Sequence, residues 1–112
     1  MSWVNVCDET SLPQNTGVAA WVAGKAVAIF NLGKHGLFAI DNVDPATGVS
    51  LLARGLICEM EGQLCVASPL YKQHYCLKTG VCIEDPQLVA SPFAIKTEQG
   101  KVFVMAKGQG RD

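Results

Sequence analysis

The chain has 112 residues, 49% of them hydrophobic and 17% charged, with a formal net charge of -1. That is enough for one folded domain with its own core and too apolar for a disordered chain. Its Lys and Arg residues are scattered rather than clustered, which excludes the basic face that nucleic acid demands.

The opening stretch, MSWVNVCDET, has no positive leader and no long apolar run, so no signal peptide is expected. Trp3 to Cys7 alternates apolar and polar and predicts a first strand, and Asp8 to Gly17, rich in turn formers, predicts a loop. Val18 to Val22 and Ala26 to Phe30 flank Ala-Gly-Lys and predict a hairpin with Gly24 at positive φ. This most apolar region, VAAWVAGKAVAIF, is too short and too interrupted to span a bilayer, and a cytoplasmic protein is expected. Leu37 to Ile40 is a further strand, ended by Asp41-Asn42, and Ser50 to Arg54 can form one helical turn. Three more hairpins are predicted. Leu56 to Met60 pairs with Gln63 to Ala67 around Glu61-Gly62. Tyr75 to Leu77 pairs with Val81 to Ile83, and Phe93 to Lys96 with Lys101 to Met105. No segment carries a convincing helical period, so the pattern predicts an all-β antiparallel sandwich or small barrel. One β domain over residues 1–107 is expected, with 108–112 as a flexible tail.

The five cysteines (Cys7, Cys58, Cys65, Cys76 and Cys82) are odd in number and form no C-x-x-C pair. They are expected to be reduced and packed as small hydrophobes. Cys65, His74, Cys76 and Cys82 crowd together in sequence, but strand alternation is expected to aim them at different faces, so no metal site is predicted. His74 has no nucleophile motif around it and is read as a structural or interface histidine, and no catalytic residue is assigned. His35, in NLGKHG, is read as a solvated turn residue.

Two Pro-containing loops follow strands: DNVDPATG, Asp41 to Gly48, and SPLYKQHYCLKTG, Ser68 to Gly80. Their order and frame resemble the Rieske-type domains, in which each of two loops gives one Cys and one His to a [2Fe–2S] cluster. The resemblance implies that both loops meet at one end of the domain. Asp41, Asn42, Pro45 and Gly48 fit the first loop. Ser68, Pro69, Tyr75, Leu77, Thr79 and Gly80 fit the second, with Tyr75 in place of Phe. The four ligand positions fall on Asp44, Ala46, Ser68 and Tyr71: Ala46 has no donor atom, Ser and Tyr are poor ligands for iron in a sulfide cluster, and Asp44, which could bind a metal, makes no site as a single carboxylate. A Rieske-like domain without its cluster is therefore expected, with no metal bound.

The longer matches, IDNVDP at Ile40 to Pro45 and SPLYKQHYCLKTGVCIEDP at Ser68 to Pro86, resemble the small-subunit family of assimilatory NAD(P)H-dependent nitrite reductases. That resemblance implies a cofactor-free subunit, inactive alone, that supports a large subunit holding FAD, siroheme and a [4Fe–4S] cluster. It implies no membrane or nucleic acid partner. Tyr71, Lys72 and His74, where a Rieske domain would cover its cluster, are the expected contacts with the large subunit, and Tyr71 is equally expected to fill the vacated space. The alternative readings are a free-standing Rieske-type ferredoxin with an unorthodox ligand set, and a regulatory or assembly module.

Overall fold

The computed structural model describes residues 2–70 and 72–106. Tyr71 and the expected tail at 108–112 lie outside the described residues. Among those residues the chain forms strands and three short 3-10 turns, with no α-helix, and no helix is long and apolar enough to cross a membrane.

The strands are β1 Ser2–Asp8, β2 Thr16–Val22, β3 Lys25–Asn31, β4 Leu37–Asp41, β5 Val43–Asp44 and β6 Val49–Ser50. They continue with β7 Leu56–Met60, β8 Gln63–Ala67, β9 His74–Cys76, β10 Pro92–Phe93, β11 Ile95–Glu98 and β12 Lys101–Ala106. They make four antiparallel sheets, ordered β1-β12-β11, β10-β4-β3-β2, β5-β6 and β7-β8-β9.

Turn chemistry sets the registers. β2 pairs with β3 from Val22↔Lys25 outward, so the turn is the two residues Ala23-Gly24 rather than Ala-Gly-Lys. Both have positive φ, 49° and 84°, the pattern of a type I′ turn whose twist matches the flanking strands. Glu61-Gly62, at 52° and 79°, joins β7 to β8 in the same way, and Gln99-Gly100, at 52° and 78°, joins β11 to β12. The hairpin predicted from Tyr75–Leu77 and Val81–Ile83 is reduced to isolated bridges, Tyr75↔Cys82 and Val81↔Val89. The Val81 carbonyl accepts from the Cys76 N–H, while its neighbours bond to another segment, the Cys82 N–H to the Leu88 carbonyl and the Ala90 N–H to the Gly80 carbonyl, so no regular ladder extends. The predicted Phe93–Lys96 strand is split. Pro92–Phe93 pairs with β4, and Ile95–Glu98 pairs with β12. The expected helical turn at Ser50–Arg54 is a 3-10 turn over Leu52–Arg54.

The central strand is β3, whose Val27, Ala28, Ile29 and Phe30 are all fully buried. Alternation sends these side chains to opposite faces. Val27 and Ile29 join Val102, Val104, Phe93 and Ala39 in a core against the β1-β12-β11 sheet. Ala28 and Phe30 join Val66, Tyr75, Leu77, Ile40 and Leu52 in a second core against β7-β8-β9. The result is an antiparallel β-sandwich with a third sheet laid on its outer face, and that third sheet carries the second loop.

Candidate functional site

The first loop leaves β4 at Asp41 and is held by its own polar side chains. Asp41 Oδ1 accepts from the Val43 N–H at 3.0 Å. Asn42 is buried: its Nδ2 donates to Ser50 Oγ at 2.8 Å and its Oδ1 accepts from the Ala53 N–H at 2.7 Å. Its carbonyl accepts from the Leu51 and Leu52 N–H groups, both at 2.9 Å. Asn42 thus closes the base of the loop, and Asp44 stands at its inner end. The Asp44 carbonyl takes the Thr47 and Gly48 N–H groups at 3.1 and 2.7 Å, which turns the chain back into β6.

The second loop leaves β8 at Ala67 and returns into β9. It is closed by the Ser68 N–H on the Gln73 carbonyl at 2.8 Å and the Lys72 N–H on the Ser68 carbonyl at 3.0 Å. Lys72 is exposed, at φ 59°. The His74 ring is not free. Its Nδ1 lies 2.6 Å from Glu84 Oε2, and its backbone N–H donates to Glu84 Oε1 at 2.8 Å. Burial works to raise the Glu84 carboxyl, but these contacts with His74 outweigh it and hold the group below its usual value.

The two loops meet through Asp44, which has no exposed surface. Its Oδ2 accepts from Ser68 Oγ at 2.5 Å, and its Oδ1 accepts from Tyr75 OH at 2.6 Å and from the Ala46 N–H at 2.9 Å. Ser68 and Tyr75 are equally buried. Burial, and then the hydrogen bond to Asp44, push the Tyr75 phenol well above its usual value, so it stays a donor. The structure therefore brings together the two positions at which the Rieske frame places its cysteines, and it joins them by a carboxyl–hydroxyl bond. Ala46, at the first histidine position, is exposed and contributes only its backbone N–H. Tyr71, at the second, lies outside the described residues.

Tyr75 was read from the sequence only as a substitute for Phe. Its hydroxyl is the third member of this buried cluster, and a polar tip on a residue otherwise suited to the core is the signal that points to it.

Of the four residues expected to point to different faces, Cys65 and Cys76 do not diverge, because strand pairing sets them opposite each other, and it sets Cys58 opposite Cys65 as well. Alternation separates neighbours along one strand, whereas cross-strand partners share a face. Cys82 pairs with Tyr75 and joins the core. Among the described residues, no group of three or more His, Cys, Asp or Glu is placed to hold a metal ion.

A model of the Rieske-like [2Fe-2S] domain family matches residues 2–105. A [2Fe–2S] cluster of this type takes two thiolates and two imidazoles. Here the cysteine positions are a carboxyl and a hydroxyl whose donors and acceptors are spent on each other and on Tyr75, so these residues do not fit the cluster. The chain is 42% identical to the nitrite reductase (NADH) small subunit of Salmonella typhimurium, covering 89% of this chain and 94% of that one. It is 33% identical to the nitrite reductase [NAD(P)H] large subunit of Klebsiella oxytoca, where the match covers 91% of this chain and 11% of that one. The NMR structure of the Escherichia coli protein NirD superposes with a TM-score of 0.84 at 38% identity, covering 92% of this chain and 94% of that one.

Proposed function

The chain belongs to the family of NADH nitrite reductase small subunits, within the Rieske-like [2Fe-2S] domains, and from that membership we propose that it is the cofactor-free, docking subunit of a cytoplasmic NAD(P)H-dependent nitrite reductase. In this reading the enzyme reduces nitrite to ammonium during nitrate assimilation. The FAD, siroheme and [4Fe–4S] cluster belong to the large subunit, which this chain binds and supports.

The observation that carries the reading is the Asp44–Ser68–Tyr75 cluster. A Rieske domain holds its two loops together through the metal cluster. Here a buried carboxyl with three donors joins the same two loops, so the tip keeps its shape without iron. A shaped tip that carries no electrons is suited to contact. Val49 on β6, paired with Asp44, and Leu70 on the second loop are both exposed beside this buried centre and would add apolar area to such a contact. The Klebsiella oxytoca relative supports the same partner, because a segment like this chain is there part of a nitrite reductase large subunit. Tyr71, Lys72 and His74 are the proposed contacts, with Glu84 fixing the His74 ring.

Two measurements test this. The purified chain contains no stoichiometric iron or labile sulfide and oxidises no NADH with nitrite when alone; about two irons per chain, the stoichiometry of a [2Fe–2S] cluster, overturns the cofactor-free reading. A Tyr71→Ala, Lys72→Ala, His74→Ala triple variant, shown to be folded by circular dichroism, binds the large subunit at least about thirtyfold more weakly, the loss of about 2 kcal/mol typical of an interface hot spot. Wild-type affinity in the folded variant removes the second loop from the interface.

A further inference from the structure

Cys58, Cys65 and Cys76 form one row across the β7-β8-β9 sheet. They lie on the face opposite Leu64, Val66, Tyr75 and Leu77, which point into the core. The Leu77 N–H donates to the Leu64 carbonyl at 2.9 Å, so Leu64 and Leu77 are a hydrogen-bonded pair. Pair types alternate along an antiparallel ladder. Cys65 and Cys76 are therefore a non-hydrogen-bonded pair, the type with Cα atoms about 4.5 Å apart and side chains closest together. A disulfide needs Cα atoms about 4.4–6.8 Å apart. By the same alternation Cys58 and Cys65 are the hydrogen-bonded type, with Cα atoms about 5.5 Å apart and side chains farther from each other.

A second observation concerns access. Cys65 and Cys76 are both buried, Cys65 fully and Cys76 at 4% exposure, but Cys76 is among the residues lining an open cavity of about 640 Å³, with His35, Phe38, Leu64, Lys78 and Thr79. The cavity brings small solutes up to Cys76, and strand pairing sets Cys65 opposite it. No other cysteine lines this cavity.

We propose that Cys65 and Cys76 form a peroxide-sensitive dithiol, in which Cys76 reacts with a small peroxide from the cavity and Cys65 resolves the product to a reversible disulfide. The Cys76 thiolate attacks one peroxide oxygen and the O–O bond breaks. Hydroxide leaves and takes up the thiol proton as water, and Cys76 becomes a sulfenic acid. The Cys65 sulfur then attacks the Cys76 sulfur, an S–S bond forms, and the sulfenic oxygen leaves as a second water with the Cys65 proton. Two thiols lose two electrons in all, and one hydrogen peroxide becomes two waters. Reduction by a cellular thiol reverses the change.

The environments suit this division of labour. Burial works to raise the Cys76 thiol, but hydrogen bonds from the Thr79 hydroxyl and from the Thr79 and Lys78 backbone, with the Lys78 charge, bring it below its usual value. Cys65 is pushed up to about 11, first by burial and then by the neighbouring Cys76 and Cys58. The more acidic thiol thus belongs to the residue that lines the cavity. The first part of the second loop, Ser68 to Gln73, lies between Cys65 and Cys76 in the chain, so the disulfide ties that part at its base. The chemistry itself does not depend on the docking role proposed above.

The test uses the reduced full-length chain. After treatment with hydrogen peroxide, remaining thiols are alkylated in denaturant and the peptides mapped by mass spectrometry. The expected result is a loss of two hydrogens, a Cys65–Cys76 linked peptide, alkylated Cys7, Cys58 and Cys82, and full reversal by dithiothreitol. In Cys65→Ser, dimedone labels Cys76, whereas wild type is labelled far less because the sulfenic acid is resolved. Alkylation of all five cysteines after peroxide, or a disulfide joining Cys58 to Cys65, overturns the proposal. If Cys65→Ser does not fold, the wild-type peptide map decides the matter alone.

Discussion

At the scale of single residues, Asp44 is the position on which the domain turns. A buried carboxyl is costly unless its oxygens are satisfied, and three donors satisfy this one. Asp44→Ala strands the buried hydroxyls of Ser68 and Tyr75, at about 1–3 kcal/mol each. Tyr75→Phe removes one donor and keeps the ring, so it is expected to cost about 1–3 kcal/mol. Urea unfolding of both single variants and the double variant checks this. The double variant is expected to fall short of the sum, because Tyr75 has no acceptor to lose once Asp44 is gone. Tyr75 also gives a pH signature. Its folded phenol ionises above its usual value, whereas tyrosine in the unfolded chain ionises near pH 10. Its contribution is complete below about pH 10. Above that the unfolded state binds fewer protons, so the contribution is lost as pH rises through the folded value. Tyr75→Phe is expected to flatten this alkaline fall in stability relative to wild type, and an unchanged slope would show that Tyr75 is not its source. The sequence made Asp44 visible as a misfit at a ligand position. It did not reveal what Asp44 binds, because Tyr75 lies 31 residues away and faces it only once β9 is in place.

At the scale of elements, turns decided what the sequence disclosed. Two-residue turns with glycine second are local, and the Glu61-Gly62 hairpin was legible down to its strand ends. The same hairpin also encodes a cysteine pairing. In CEMEGQLC the two cysteines are symmetric about Glu61-Gly62, so a two-residue turn must set Cys58 opposite Cys65. The register of Cys65 with Cys76 depends on a six-residue loop shaped by Ser68 and Gln73, and spacing alone does not determine it. The motif Lys78-Thr79-Gly80 was legible as a turn but not as a packing site. Gly80 has φ 79°, and a Cβ there would run into the Ala90 carbonyl oxygen. Its own carbonyl accepts the Ala90 N–H at 2.8 Å. Gly62 has the same φ, 79°, with nothing within 4 Å of an added Cβ. Gly62→Ala is expected to cost about 1–2 kcal/mol for the left-handed backbone alone. Gly80→Ala is expected to cost more, since a strained backbone is joined by a displaced Ala90, and thermal melts of the two variants side by side give the difference. Equal losses would mean that the close approach to Ala90 has no energetic weight.

At the scale of the whole molecule, β3 makes two cores into one folding unit. Its buried residues alternate between the core against β1-β12-β11 and the core against β7-β8-β9, so neither sheet can leave without exposing one face of β3. The sequence showed Ala26 to Phe30 as apolar throughout, the mark of a strand covered on both faces, but which sheets cover it follows from pairings distant in the chain. Phe30→Ala opens a cavity on the β7-β8-β9 side, where Phe30 packs among fully buried Leu52, Val66 and Tyr75. A loss of about 3–5 kcal/mol is expected. Val104→Ala removes two methyl groups on the other side, where Val104 meets Val27 and Ile29. If β3 couples the cores, both variants lower one shared transition. Hydrogen exchange at Val66 and Tyr75 should then accelerate in Val104→Ala as it does in Phe30→Ala, for amides that open only with global unfolding. Trp3, on β1, and Tyr75, on β9, report the two sides optically, and their denaturant curves should coincide. Exchange that accelerates only on the side of the substitution would instead divide the chain into two independently opening halves. The sheet that carries the second loop would then open without the sandwich beneath it.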